Sequence, residues 1–439
     1  MSADANMEYY TRQVFGLLQR EFRIGQRFLR HSCVYAASLY MTATAFAAQS
    51  LVPDDVLLFR KREIADYLPV GIRAGSFLLS PGIGVSGTYD DNIFRTPANA
   101  QSDFITNIKP AFAAQSNWNR HGVFFGAEGD FGFYSDNHEE NYEDYGVLLS
   151  GQYDFTEETY LIVATSRAKR HISRGSLLDP NATAPSEYEV DRQQFQLVRE
   201  LGRLQLEFNG QNEDVRLSDT TNTGVPLTTF TTRDGQQLGA VLRYEYMPDN
   251  SLFVDSFYNT TDYTLAGGAR RSADGYNIKS GIAFDTNSIF SGSFYGTYIN
   301  RDYTANTQDT SRIFPGGSLS WDILSGTTLT GIYDTGFNDT TVAGAAGVLR
   351  TMRKLALQHQ FTSRTRGEVS GGVNSYKYLG GEGSINRGTK VRYAGVMADY
   401  KLSEHAGLRA QYDFQKRSSP LASDAYRDNR VTLSVTYMY

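Results

Sequence analysis

Residues 90–92 read Asp-Asp-Asn, and His138 follows one long polar loop later. Two adjacent carboxylates near an imidazole could run acid–base chemistry, as in surface proteases built on small barrels. The same triplet could offer oxygens to a calcium ion between loops. Neither pattern closes. The spacing lacks a full oxygen cage, and acids in loops are ordinarily just solvated. Of the six histidines, His121, His138, His171, His359 and His405 lie beyond the N-terminal region. None has a His or Cys partner at zinc-ligand spacing. No nucleophile elbow, phosphate loop or dinucleotide fingerprint occurs. The sequence therefore points to no enzyme, no cofactor and no metal.

The other residues able to do chemistry are charges set into alternating segments. In GVFFGAEGDFGF, Val123, Phe125, Ala127, Phe131 and Phe133 oppose Glu128 and Asp130. In RLQLEFN, Leu204, Leu206 and Phe208 oppose Arg203 and Glu207; in QLGAVLRYEY, Leu238, Leu242 and Tyr244 oppose Arg243 and Glu245. GLRAQYDFQ sets Leu408, Ala410, Tyr412 and Phe414 against Arg409, Gln411 and Asp413, and Lys354 takes a comparable polar position. A period of two is the signature of a strand with two different faces. Its polar face would carry Glu128, Asp130, Arg203, Glu207, Arg243, Glu245, Lys354, Arg409 and Asp413 as a solute path of mixed sign. Such a mixture gives no steep preference for anions or cations.

The connections between these segments alternate in kind. Short ones read SNWNRH (116–121), DFTEET (154–159), ELGR (200–203), MPDN (247–250), DTNS (285–288), DILSGT (322–327), TSRT (362–365) and SEH (403–405). Longer polar stretches, such as 90–102 and 172–187, separate them. Tight turns on one rim and long loops on the other mark a transmembrane antiparallel β-barrel, with the turns periplasmic and the loops extracellular. The count is about 18 strands over residues 76–439. Aromatic residues bunch near both rims. Trp118, Tyr153, Tyr246, Phe284, Trp321, Phe361, Tyr400 and Tyr439 lie near the turns, and Tyr89, Tyr134, Tyr142, Tyr258, Tyr298, Tyr376 and Tyr426 near the loops. Two belts of rings at headgroup level would give this distribution. A soluble sandwich also alternates, but it needs no difference between its rims.

Composition agrees. The chain has 29 Tyr, 26 Phe and 41 Gly, and no stretch past residue 50 approaches the ~20 apolar residues of a membrane helix. Arg20, Arg23, Arg27 and Arg30 precede CVYAASLYMTATAFAA, which ends on Ala45-Phe46-Ala47, so residues 1–47 read as a removable signal peptide. Cys33 would leave with it, and a chain without cysteine suits the periplasm or outer membrane. The excised segment holds five Arg and three acids, so the net charge moves from −6 to about −8. That balance disfavours nucleic acid as a partner. Residues 48–75 would form a periplasmic leader that docks a partner, plugs the mouth or lies along the rim.

The chain closes on VTLSVTYMY, with Val431, Leu433, Val435, Tyr437 and Tyr439 on one face. A barrel's last strand must pair with its first, which requires this ending to be ordered and to face lipid. Val435, Tyr437 and Tyr439 then form a C-terminal assembly signal for the barrel assembly machinery.

Three stretches go beyond generic pattern. Pro69 to Arg73 reads Pro-Val-Gly-Ile-Arg, Gly75-Ser76-Phe77 follows, Tyr89-Asp90-Asp91-Asn92 ends the first strand, and Ser102-Asp103 leads to Pro110. With the terminal strand, they resemble the outer-membrane family known as putative β-barrel porin 2. The resemblance covers about residues 67–439 and carries no catalytic residues. It implies an integral outer-membrane exit for exopolysaccharide that works with periplasmic polysaccharide-export proteins. The alternatives are a general diffusion porin for small polar solutes, marked by an inward loop with opposed Arg and acid clusters, and a structural or enzymatic outer-membrane barrel.

Overall fold

A computed structural model describes residues 71–176, 184–218, 230–265, 268, 270–286, 289–304, 310–338, 347–379 and 388–439. The signal-peptide reading of 1–47, and the leader up to residue 70, lie outside the described residues. The strands are β1 (Ile72–Ala74), β2 (Phe77–Asp90), β3 (Asp103–Ser116), β4 (Gly122–Tyr134), β5 (Tyr142–Thr156) and β6 (Thr159–His171). There follow β7 (Glu187–Leu201), β8 (Leu204–Ser218), β9 (Phe230–Met247), β10 (Asn250–Leu265), β11 (Arg270–Thr286) and β12 (Phe290–Tyr303). The rest are β13 (Thr310–Leu324), β14 (Thr327–Asn338), β15 (Gly347–Thr362), β16 (Thr365–Leu379), β17 (Gly388–Lys401), β18 (Ala406–Ser418) and β19 (Tyr426–Met438).

Each strand from β2 to β19 pairs antiparallel with its neighbours in sequence, and β19 returns to β2. The closing register runs from Arg430 opposite Asp90 to Met438 opposite Gly82. Closure leaves no free edge among these 18 strands, as the lipid interior demands, because an unpaired backbone group there has no water to bond. β1 is a short addition. It hairpins onto Phe77–Leu79, so the end of the expected leader lies against the rim as a strand.

The faces follow the alternation. Leu238, Phe208, Leu433, Leu355 and Val369 are all more than half exposed and point outward, where lipid would cover them. The rows between them point inward. The expected short turns all lie on one rim. Gly202 (φ 61°), Asp249 (φ 62°) and Gly326 (φ 76°) supply the left-handed residue that two-residue hairpins favour. On that rim Trp118, Tyr153, Trp321, Phe361, Tyr400 and Tyr439 are exposed outward. On the loop rim, Tyr89 and Tyr258 are exposed outward, whereas Tyr142, Tyr376 and Tyr426 turn inward and are buried. Position along the strand was readable for those three, but their face was not.

Candidate functional site

Glu128, Asp130, Glu207, Arg243, Lys354, Arg409 and Asp413 all fall on inward rows of β4, β8, β9, β15 and β18. Glu245 lies at the turn end of β9, where its carboxylate accepts from the Asp249 backbone N–H at 3.2 Å. Arg203 departs from the expectation. It stands in the two-residue turn between β7 and β8, exposed at the rim, so it is not part of the wall.

Ion pairs run between strands one or two apart, with partners that the alternation alone did not select. Glu128 accepts from Arg170 at 2.7 Å, and Asp130 from Lys109 at 2.6 Å. Arg409 does not reach Asp413. It pairs with Asp399, directly opposite on β17, at 2.7 Å, and Asp399 also holds Arg366 at 2.5 Å. Asp413 accepts instead from Gln411 at 2.8 Å, and Asn209 donates to Glu207 at 3.1 Å. Glu128, Asp130 and Asp399 are thus met by opposite charge, while Glu207 and Asp413 are held by neutral amides.

Uncharged polar groups form a second system. Gln194 on β7 stands opposite Gln211 on β8, Gln211 opposite Gln237 on β9, and Gln237 opposite Asn259 on β10. Four amide side chains thus share one inward row across four adjacent strands. The Gln194 amide N–H donates to Gln211 Oε1 at 2.5 Å. Gln211 Nε2 and Gln237 Oε1 have no hydrogen-bond partner among the described residues. On the neighbouring wall, Asn107 donates to Asp130 (2.8 Å) and to the Tyr142 hydroxyl (2.7 Å), and Tyr142 packs on the His171 ring at 3.9 Å. His171 Nδ1 lies 3.0 Å from Asp144.

The loop after β6 folds inward. Ile172 packs on Tyr188, Val215, Leu217 and Tyr263, all buried. Arg174 then grips Glu140 with two hydrogen bonds, from Nε at 2.8 Å and Nη2 at 2.5 Å. The Gly175 carbonyl accepts from Arg417 Nη1 on β18 at 3.0 Å. The backbone at Gly175 has φ 73°, and a Cβ there would lie 2.7 Å from the Arg95 side chain, so glycine alone fits. From β6 to β18 the wall takes six strand-to-strand steps, and residues 172–176 connect the two sides directly. The strap lies against Arg95, and Asp90 is buried beside that arginine. In the sequence the strap is only a short Ser-Arg-Gly inside a long polar stretch, and no local pattern tells a cross-barrel contact from a solvated loop.

Under the strap, Arg95 joins Asp90 (3.0 Å) and Asp428 (2.8 Å). Burial works against the Arg95 charge, but the two carboxylates outweigh it and hold its pKa above the usual arginine value. Asp90, Asp91 and Asp428 have oxygens within 4.8 Å of one another. Their charge is already met from within the chain, because Asp91 accepts from the Asn429 backbone and side chain at 2.7 and 2.5 Å. Asn92 is likewise occupied, donating to the Thr96 and Arg427 carbonyls. His138 is bonded to the Tyr134 carbonyl, so the structure does not assemble an acid–histidine pair with Asp90.

A family model described as Putative beta-barrel porin 2 matches residues 65–439. The chain belongs to that family. The match takes in the whole barrel, β1 and the resembling stretches at its entry, and it places this porin-like barrel in the outer membrane. No curated protein matches the chain. Among solved structures, it is similar to the FrpB iron transporter from Neisseria meningitidis (F3-3 variant). The identity is 9%, with 82% of this chain and 81% of that one covered and a TM-score of 0.46. The outer membrane protein OpdK from Pseudomonas aeruginosa is 15% identical, with 82% and 99% covered and a TM-score of 0.43. A bacterial polysaccharide outer membrane secretin is 10% identical, with 82% and 98% covered and a TM-score of 0.36. Likenesses this distant say nothing of what this porin-family barrel carries.

Proposed function

We propose that the barrel is an outer-membrane conduit for a hydroxyl-rich polymer, an exopolysaccharide on its way to the cell surface. The amide row Gln194–Gln211–Gln237–Asn259 is the observation that carries this reading. Amides donate and accept without charge, and the buried Gln211 and Gln237 keep polar atoms without a partner, which a sugar hydroxyl reaching the row would satisfy. Wall charges such as Glu128 with Arg170 and Asp130 with Lys109 neutralise one another, so a neutral chain meets few bare charges there. On this reading Glu128, Asp130, Glu207, Arg243, Lys354, Arg409 and Asp413 border the path, and Glu245 and Arg203 mark its turn-side mouth. Val435, Tyr437 and Tyr439 serve as the signal for the assembly machinery, and periplasmic export proteins deliver the polymer.

The inward strap, with Arg174 set against Glu140, favours a second reading, a diffusion porin for small polar solutes. One pair of measurements separates the two. Deleting the gene should abolish surface exopolysaccharide and leave uptake of small nutrients unchanged, and the purified barrel should conduct little in a planar bilayer. Large, steady conductance together with normal exopolysaccharide in the deletion strain would refute the export reading.

A further inference from the structure

The outward face of β15–β19 carries a row of cations that no sequence motif announces. Arg353 stands opposite Val373, Val373 opposite Arg392, Arg392 opposite Lys416, and Lys416 opposite Arg427. Lys377 and Lys390 lie on the same outward rows, nearer the loops. All six side chains are exposed, and none makes an ion pair with a described residue. The outward rows of these five strands hold no Asp or Glu.

Three cations directly opposite one another across adjacent strands repel, so the row needs an external counter-charge. Elsewhere on the outer surface, three outward cations are paired with carboxylates. Arg167 meets Glu189 at 2.7 Å, Lys169 meets Glu187 at 2.8 Å, and Arg216 meets Asp214 at 2.5 Å. The row also has a defined height. Tyr400 lies at the turn rim and Arg392 eight residues along the same strand. At ~3.4 Å per residue and a tilt near 40°, that is about 21 Å along the membrane normal, close to the ~25 Å apolar band. Between them Ala398, Val396 and Ala394 face lipid. The cations therefore stand where the apolar band ends on the loop side, at the level of outer-leaflet headgroups. Two of them are planted on rings, Arg427 over Phe414 at 5.5 Å and Arg353 over Tyr333 at 5.7 Å.

We infer that the outward band Arg353–Arg392–Lys416–Arg427 is a binding surface for the phosphorylated headgroup of an outer-leaflet lipid. Five strands at ~4.8 Å spacing give the row a span of about 19 Å, enough for a headgroup with more than one phosphate. A second copy of the chain offers acids too, in the outward row Asp191–Asp214–Asp234–Asp262 on β7–β10. Those acids are already engaged in part by Arg216 and Arg167, whereas lipid phosphates surround the whole barrel at this height.

The test uses the purified full-length barrel in detergent, titrated with lipopolysaccharide carrying its lipid phosphates and with the same material dephosphorylated. Wild type should prefer the phosphorylated form by about tenfold or more. The variant R353Q/R392Q/K416Q/R427Q should lose that preference, while R167Q/K169Q retains it. Heat-modifiable migration reports folding; should the fourfold variant not fold, R392Q/K416Q should lose most of the preference. Equal binding of both lipids by wild type, or an unchanged preference in the folded variants, would overturn the assignment. So would self-association of wild type that the variant abolishes with no change in lipid binding.

Discussion

Leu433 sits in the middle of the lipid-facing surface and is about half exposed, at 55%. On β19 it lies four residues from Tyr437 at the turn rim and six from Arg427 at the loop side. With the rise and tilt used above, those distances are about 10 and 16 Å along the membrane normal. Arginine placed there cannot reach either interface without distorting the strand. Leu433→Arg should therefore cost about 2–4 kcal/mol. Leu408 also faces outward, but it stands opposite Tyr400 and Val435, close to the turn rim. This register puts it near the interface, where the penalty falls to about 0–1 kcal/mol. Gln411 lies at nearly the height of Leu433 on the opposite face and donates to Asp413 at 2.8 Å. Arginine at 411 would keep a donor for that carboxylate, and its cost should stay under about 1 kcal/mol. Urea unfolding into phospholipid vesicles, followed by Trp118 and Trp321 fluorescence, measures all three. The expected order is Leu433→Arg far above Leu408→Arg and Gln411→Arg. A Gln411→Arg cost equal to that of Leu433→Arg would refute the face assignment of β18 and β19.

Two more outcomes follow from particular contacts. Arg174→Ala removes both hydrogen bonds to Glu140 and loosens the strap, so single-barrel conductance should rise at least severalfold with unchanged heat-modifiable migration; unchanged conductance would show that the strap does not restrict the mouth. Deleting Tyr439 removes the backbone hydrogen bond to the Pro81 carbonyl (3.0 Å) and the stack on His405 (5.1 Å), and should lower the outer-membrane yield of folded barrel, measured by fractionation; an undiminished yield would argue against an assembly role for the terminus.

How much the sequence disclosed depends on the range of the physics involved. The strands, most of their faces and the closing pair were legible because a period of two is local, and a lipid-facing surface enforces it along strands such as β4 and β18. The turns were legible for the same reason, since a two-residue hairpin must find its left-handed residue within itself. Ion pairing was not, because it depends on register between strands. Asp413 shares the polar face of β18 with Arg409, yet Asp399 stands directly opposite on the next strand and wins by proximity. The amide row and the cation row are invisible for that reason too, as their members lie on different strands and align only once the hairpin registers are fixed. Least legible of all was the strap, where Gly175 and Arg417 meet across 242 residues of chain. A barrel advertises its wall in its sequence. What projects into the lumen, and what stands in rows around it, is set by register and by loops, and those are where this family member's specificity must be sought.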